Sequence, residues 1–243
     1  MKKLLLLCPL LVLFASCNEE EEPVPENPGD TPYDLVIDPG DFRTTDITGN
    51  DFFPITVGKR YVYEGEDEDG NAVRVTEEYT STTKVIMGVT CVVVHAREYV
   101  NDELIEDTED WYAQDVKGNV WYFGEATQEI ENGAVVSTGG SWESGVDGAL
   151  PGIIMLNDPI VGMWYRQEFY EGEAEDVAQV LSLKETLSVS FGSYSNCLQV
   201  AEWNLLEPGV VEHKIYAKEV GLLKAIAVKG ESGFEELVAI EDI

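Results

Sequence analysis

Residues 110–125, DWYAQDVKGNVWYFGE, set two aromatic-rich runs on either side of Lys117-Gly118-Asn119. The triplet is a turn signal, since glycine accepts the positive φ of a tight reversal, and the flanking residues favour extended backbone. The stretch therefore predicts an antiparallel hairpin. Neighbouring strand residues point to opposite faces, so Trp111 beside Tyr112, and Trp121 beside Tyr122 and Phe123, put large rings on both. A face bathed in water is rarely built that way. Either another layer covers the second face, or it lines an apolar cleft that a ligand could fill.

The same pattern extends outward from this hairpin. From Asp51 onward, runs such as VRVTEEYT (73–80), CVVVHAREYV (91–100) and VVEHKIYA (210–217) alternate with turn dipeptides, among them Asp69-Gly70, Asn101-Asp102, Asn132-Gly133 and Lys229-Gly230. Helical periodicity is absent. Short strands joined by hairpins predict an all-β fold, one antiparallel and strongly curved sheet or barrel-like structure.

The region also reads as two duplicated meanders, about 105 residues apart, near 54–124 and 159–229. Pro54, Gly58, Tyr61 and Gly65 recur as Pro159, Gly162, Tyr165 and Gly172; Gly88 and Cys91 recur as Gly192 and Cys197; Tyr112-Ala113 with Gly118 recurs as Tyr216-Ala217 with Gly221. This order suggests an internal repeat. A meander alone leaves one face unburied, so the halves are expected to share one core in a single β domain, residues 50–243. Residues 126–156 have no counterpart in the second half. Their glycines and Pro151 predict a long linking loop, of the kind that often carries function, and it contains Trp142.

Ahead of the domain, Lys2 and Lys3 precede an apolar run, Leu4 to Ala15, that is too short to span a bilayer and reads as a signal peptide over residues 1–16. Phe14-Ala15-Ser16-Cys17 resembles a lipoprotein signal, which implies acylation of Cys17 as the lipid anchor. Residues 17–49, with Glu19 to Glu22 and several prolines, read as an acidic, disordered tether. An acidic run after the acylated cysteine resembles the tag of outer-membrane lipoproteins displayed at the cell surface.

Without residues 1–16 the chain carries 13 basic and 47 acidic side chains, a net charge of −34. Phosphate backbones are bound by Lys and Arg, so nucleic acid is excluded as a partner. The membrane is expected to be reached only through the lipid. Of the cysteines, Cys91 and Cys197 remain in the folded region. Export permits a disulfide between them, and cysteine is equally at home as a small buried hydrophobe.

Motifs for catalysis are missing: there is no phosphate loop, HExxH, CxxC or GxSxG, and the two histidines, His95 and His213, are far apart. No cofactor is expected. Calcium is the one metal with any pattern behind it, at Asp67-Glu68-Asp69-Gly70-Asn71 and Glu171 to Asp176, where a solvated turn is the simpler reading.

The PITVGKRYVY and PIVGMWY openings, the 110–125 hairpin and GSWESGVDGALPGIIM (140–155) together resemble a family of bacterial secreted proteins and lipoproteins without assigned function. The likeness covers most of the chain after Asn50. Its general shape is similar to periplasmic lipoprotein carriers, an analogy of fold alone; those are soluble, whereas Cys17 would anchor this chain. The sequence thus leads to a non-catalytic binding module of the cell envelope for a small apolar or carbohydrate ligand, with Trp142, Trp111, Tyr112 and Tyr122 as its contacts. The alternatives are a structural protein docking through a sheet edge and, third, a carboxylate-dependent hydrolase.

Overall fold

The computed structural model describes residues 32–243. The signal segment, Cys17 and the start of the tether lie outside the described residues. The strands in chain order are β1 (Lys59–Glu66), β2 (Ala72–Ile86), β3 (Val89–Val100), β4 (Glu103–Gln114), β5 (Val120–Glu131), β6 (Ala134–Ser137), β7 (Trp142–Glu143), β8 (Leu150–Met155), β9 (Trp164–Arg166), β10 (Glu168–Phe169), β11 (Asp176–Val189), β12 (Gly192–Asn204), β13 (Val211–Ala217), β14 (Gly221–Lys229) and β15 (Phe234–Asp242). They form one sheet of order β10-β8-β5-β4-β3-β2-β1-β15-β14-β13-β12-β11-β9, with β6 and β7 added beside β5. Every ladder is antiparallel.

The two ends of that order, β9 and β10, are separated by Gln167 alone. One extended run therefore pairs with β11 through Trp164 to Arg166 and with β8 through Glu168 and Phe169, which brings the sheet nearly to closure as a barrel. Gly152 makes this seam possible. A β-carbon there would lie 2.2 Å from the Gln167 carbonyl carbon, so no larger residue fits.

The stretch 126–156, expected as a loop, is in part strand. It supplies the end of β5, then β6, β7 and β8, and its glycines sit at the turns between them and at the seam.

Some pairings recur between the two halves. Gly58 (φ 88°) and Gly162 (φ 91°) each close a turn, and their N–H groups donate to Tyr79 and Val180 respectively, both at 2.8 Å. Three residues on, Tyr61 faces Glu77 and Tyr165 faces Ala178. Tyr79 then pairs with Val94 and Val180 with Val200; Val92 pairs with Tyr112 and Leu198 with Tyr216. Cys91 and Cys197 each precede these last partners by one residue. Of the two readings left open for them, bridge or buried thiol, the structure has the second: both are free and buried, Cys91 against the outer side of the sheet and Cys197, beside the bulge at Asn196, in the central core.

The central core fills one end of the curved sheet with Tyr61, Tyr63, Val94, Met155, Leu198 and Leu237, among others. Strand alternation sends Val92 and Val94 inward while Cys91 and Val93 go outward into a second cluster with Trp111, Phe123 and Phe42. Phe42 belongs to the segment expected as tether. Its ring meets Phe123 edge-on at 5.5 Å and Trp121 at 5.7 Å. The Arg43 N–H donates to the Gln114 carbonyl at 2.9 Å, and Ile47 is buried in the central core. The tether boundary at residue 49 is thus too late: the final part of that segment is the layer that covers the outer aromatics.

Candidate functional site

Away from the apolar core, the concave side of the sheet turns polar. In β4 and β5 the inward positions are Glu106, Thr108 and Asp110 and, opposite them, Glu129, Thr127 and Glu125. Thr108 donates to Thr127 at 3.1 Å, Thr127 to Glu125 at 3.0 Å, and the Tyr122 hydroxyl to Asp110 at 2.7 Å. Across the interior, Lys214 of β13 contacts Glu202 at 2.7 Å and Glu212 at 3.4 Å. Glu202 also accepts from Gln167 Nε2 at 3.0 Å and from the Tyr216 hydroxyl at 3.5 Å.

Beside Tyr122, Gln167 and Lys214 lies a cavity of about 360 Å³. Six carboxyl side chains line it, Glu168, Asp176, Glu202, Glu207, Glu212 and Glu231, against a single cation, Lys214. Tyr122, Trp203 and Ile154 supply the aromatic and apolar surface, Gln167 and Asn204 the neutral polar groups. A neighbouring depression of about 490 Å³ shares Glu212 and Glu231. A smaller cavity of about 100 Å³ lies toward the core, walled by Tyr63, Tyr79, Tyr112 and Tyr216 with Glu77 and Lys214.

Burying acids among acids favours their neutral forms. Glu168 is pushed up to about 10, first by burial and then by its hydrogen bond to Asp176 and that group's charge, with Trp142 partly offsetting the rise. Burial, with Glu212 nearby, raises Glu235 to about 7. Asp110 is raised well above the ordinary carboxylate range by burial, although the Tyr122 hydrogen bond works the other way. For Lys214, burial opposes the charge, but Glu202 and Glu212 outweigh it and keep the ammonium protonated.

The residues singled out from sequence are dispersed. Trp142 is 5 % exposed and packs edge-on against Tyr122 at 5.4 Å, so it belongs to the packing rather than to an open surface. Trp111 faces outward in the Phe42 cluster, with the Lys84 ammonium 3.2 Å from its ring centroid. Tyr112 and Tyr122 stack at 5.1 Å on the inner side, Tyr122 at the acidic cavity and Tyr112 at the smaller one. His95 is tied to Asp107 and Arg97 on the outer side. The Asp67–Asn71 stretch closes a turn in which Asp67 accepts from the backbone of Asp69 and Asn71. Among the described residues no three His, Cys, Asp or Glu side chains converge on a point where they would hold a metal ion.

Sequence reasoning missed Glu168, Glu202, Lys214 and Trp203. Lys214 carried the available signal, as a lone cation at an inward strand position in a strongly acidic chain.

No family model matches the chain, and no curated protein does. Among solved structures, it is similar to a protein of Bacteroides fragilis NCTC 9343 described as exported and as having a YmcC-like fold, with 12 % identity, a TM-score of 0.48, and coverage of 79 % of this chain and 100 % of that one. It is also similar to a protein of Parabacteroides distasonis ATCC 8503 described as a lipoprotein, with 11 % identity, a TM-score of 0.43, and coverage of 79 % and 99 %. At these values the likenesses bear on neither ligand nor activity.

Proposed function

We propose that this chain is an exported, lipid-anchored protein of the cell envelope that acts as a non-catalytic binding module, with the acidic cavity as its site. The observation that carries the reading is that cavity: about 360 Å³ of open space lined by six carboxyl side chains together with Lys214, Tyr122 and Trp203. A volume of this order suits a small organic ligand. Its carboxyl lining favours a hydroxylated or charged ligand over the apolar one expected from the aromatics, because an apolar molecule would leave buried polar groups without partners.

Docking through a sheet edge is the second reading, and it would use the β11 edge beyond Gln179, which β9 leaves unpaired.

The test is a thermal-shift panel of sugars, amines, amino acids and fatty acids at millimolar concentration, on the wild type and on Val210→Trp, which fills the cavity mouth from its wall. A ligand at about 100 times its Kd stabilises by about 2.7 kcal/mol, a rise of several degrees. At least one class is expected to raise the midpoint of the wild type and to leave V210W unmoved. No response from any class, or an equal response from V210W, overturns the proposal.

A further inference from the structure

We infer that the occupant of this cavity is a small organic cation, bearing an ammonium or guanidinium group. This rests on the binding reading above and specifies its ligand. Lys214 is the one basic residue of the cavity wall, and Glu202 and Glu212 already engage it. Glu168 is kept neutral by burial, but among the described residues no Lys or Arg forms an ion pair with Asp176, Glu207 or Glu231. The neighbouring depression continues the same field, with seven carboxyl side chains and no basic one. A cleft lined by one sign of charge within low-dielectric walls focuses its potential on whatever enters.

A further observation points to an occupant. Tyr122 and Trp203 add aromatic surface within the same cavity, the companion of carboxylates wherever organic cations are held. A divalent metal fits less well, because the carboxyls are spread along the walls rather than gathered on one point.

The experiment is calorimetric titration of the full chain with 1,4-diaminobutane and spermidine, and with 1,4-butanediol as the neutral match. The diamine and triamine are expected to bind, with affinity falling about tenfold or more between 20 mM and 300 mM salt, and the diol to give no heat. Glu207→Gln/Glu231→Gln, at two exposed wall positions that leave the fold intact, should weaken binding at least about fivefold, and Glu109→Gln/Glu131→Gln, exposed and outside the cavity, should leave it unchanged. Equal weakening by both pairs would reveal diffuse attraction to an acidic surface and overturn the inference. Failure of the amines while a neutral ligand binds the wild type and not V210W would overturn the cationic ligand alone. Failure of every ligand would remove the cavity reading with it.

Discussion

Phe42 lies edge-on to Phe123 with ring centroids 5.5 Å apart and interplanar angle 80°, joining a segment ahead of the first strand to the β4–β5 hairpin. The contact covers an outer face that would otherwise expose Trp111, Phe123 and Val93 to water. Removing a buried aromatic costs about 3–5 kcal/mol. Phe42→Ala is therefore expected to lower the thermal midpoint by about 10 °C, at the 2–4 °C per kcal/mol usual for a chain of this size. A shift under about 2 °C in calorimetry would mean that the segment is not part of the folded unit.

Trp142 gives a sharper contrast. With 5 % exposure and its edge on Tyr122, it behaves as core, whereas Trp164 is 41 % exposed on β9. Trp142→Ala should lower the midpoint by about 10 °C and Trp164→Ala by no more than about 2 °C. The reverse order would return Trp142 to the ligand contacts.

Much of the fold was legible, and the reason is local. Turn dipeptides such as Lys117-Gly118 and Asn132-Gly133 mark reversals through backbone conformation alone, so the strands between them follow. The covering layer was half legible: the 110–125 hairpin demands a cover for its second face, but Phe42 and Ile47 stand singly among Asp, Pro, Gly and Thr, and two isolated apolar residues do not make a pattern. The acidic interior was hidden for a different reason. In Glu106-Asp107-Thr108-Glu109-Asp110 both faces of the strand are polar, so alternation cannot tell which points inward. Only the register with β3 and β5 decides it.

Cys91 and Cys197 are both 0 % exposed, and burial pushes the Cys91 thiol up to about 12. A buried, protonated thiol is a poor nucleophile. Neither is expected to react with an aromatic disulfide reagent in the native protein at pH 8, and both should react at once in denaturant. Mass spectrometry without reductant should find two alkylatable thiols after unfolding. An intramolecular disulfide would contradict the packing of the two residues into separate clusters.

Gly152 tests the closure of the sheet. Its α-carbon sits against the backbone of Gln167, where a methyl group would overlap the carbonyl carbon and oxygen at 2.2 and 2.3 Å. Gly152→Ala must push the β8 strand from the 164–169 run, since backbone cannot yield as a flexible side chain would. Faster amide exchange is expected at Gln167, Glu168 and Phe169, with a midpoint loss of several degrees. Wild-type exchange there would show that the seam is not needed.

The buried acids make stability fall as pH rises. Glu168 titrates near 4.5 in an unfolded chain and near 10 when folded, so between those values the native state holds a proton that the unfolded state has lost. Glu235, raised to about 7, adds to this over a narrower range. By linkage, stability declines with pH wherever the native state binds more protons. The stabilisation is complete below about pH 4.5 and drains away up to about pH 10, the reverse of an acid held as a carboxylate by a cation. Asp67 is of that opposite kind, held low by hydrogen bonds from Asn71, but it titrates below this window and does not mask the slope. A tenfold difference in proton affinity between the folded and unfolded chain is worth at most about 1.4 kcal/mol, so a midpoint lower by about 5–10 °C at pH 8.5 than at pH 5 is expected. Glu168→Gln keeps a donor toward Asp176 and cannot ionise; it should match the wild type at pH 5, exceed it at pH 8.5, and show a shallower slope between. A wild-type midpoint that stays level or climbs from pH 5 to 8.5 would mean that Glu168 is ionised in the folded protein.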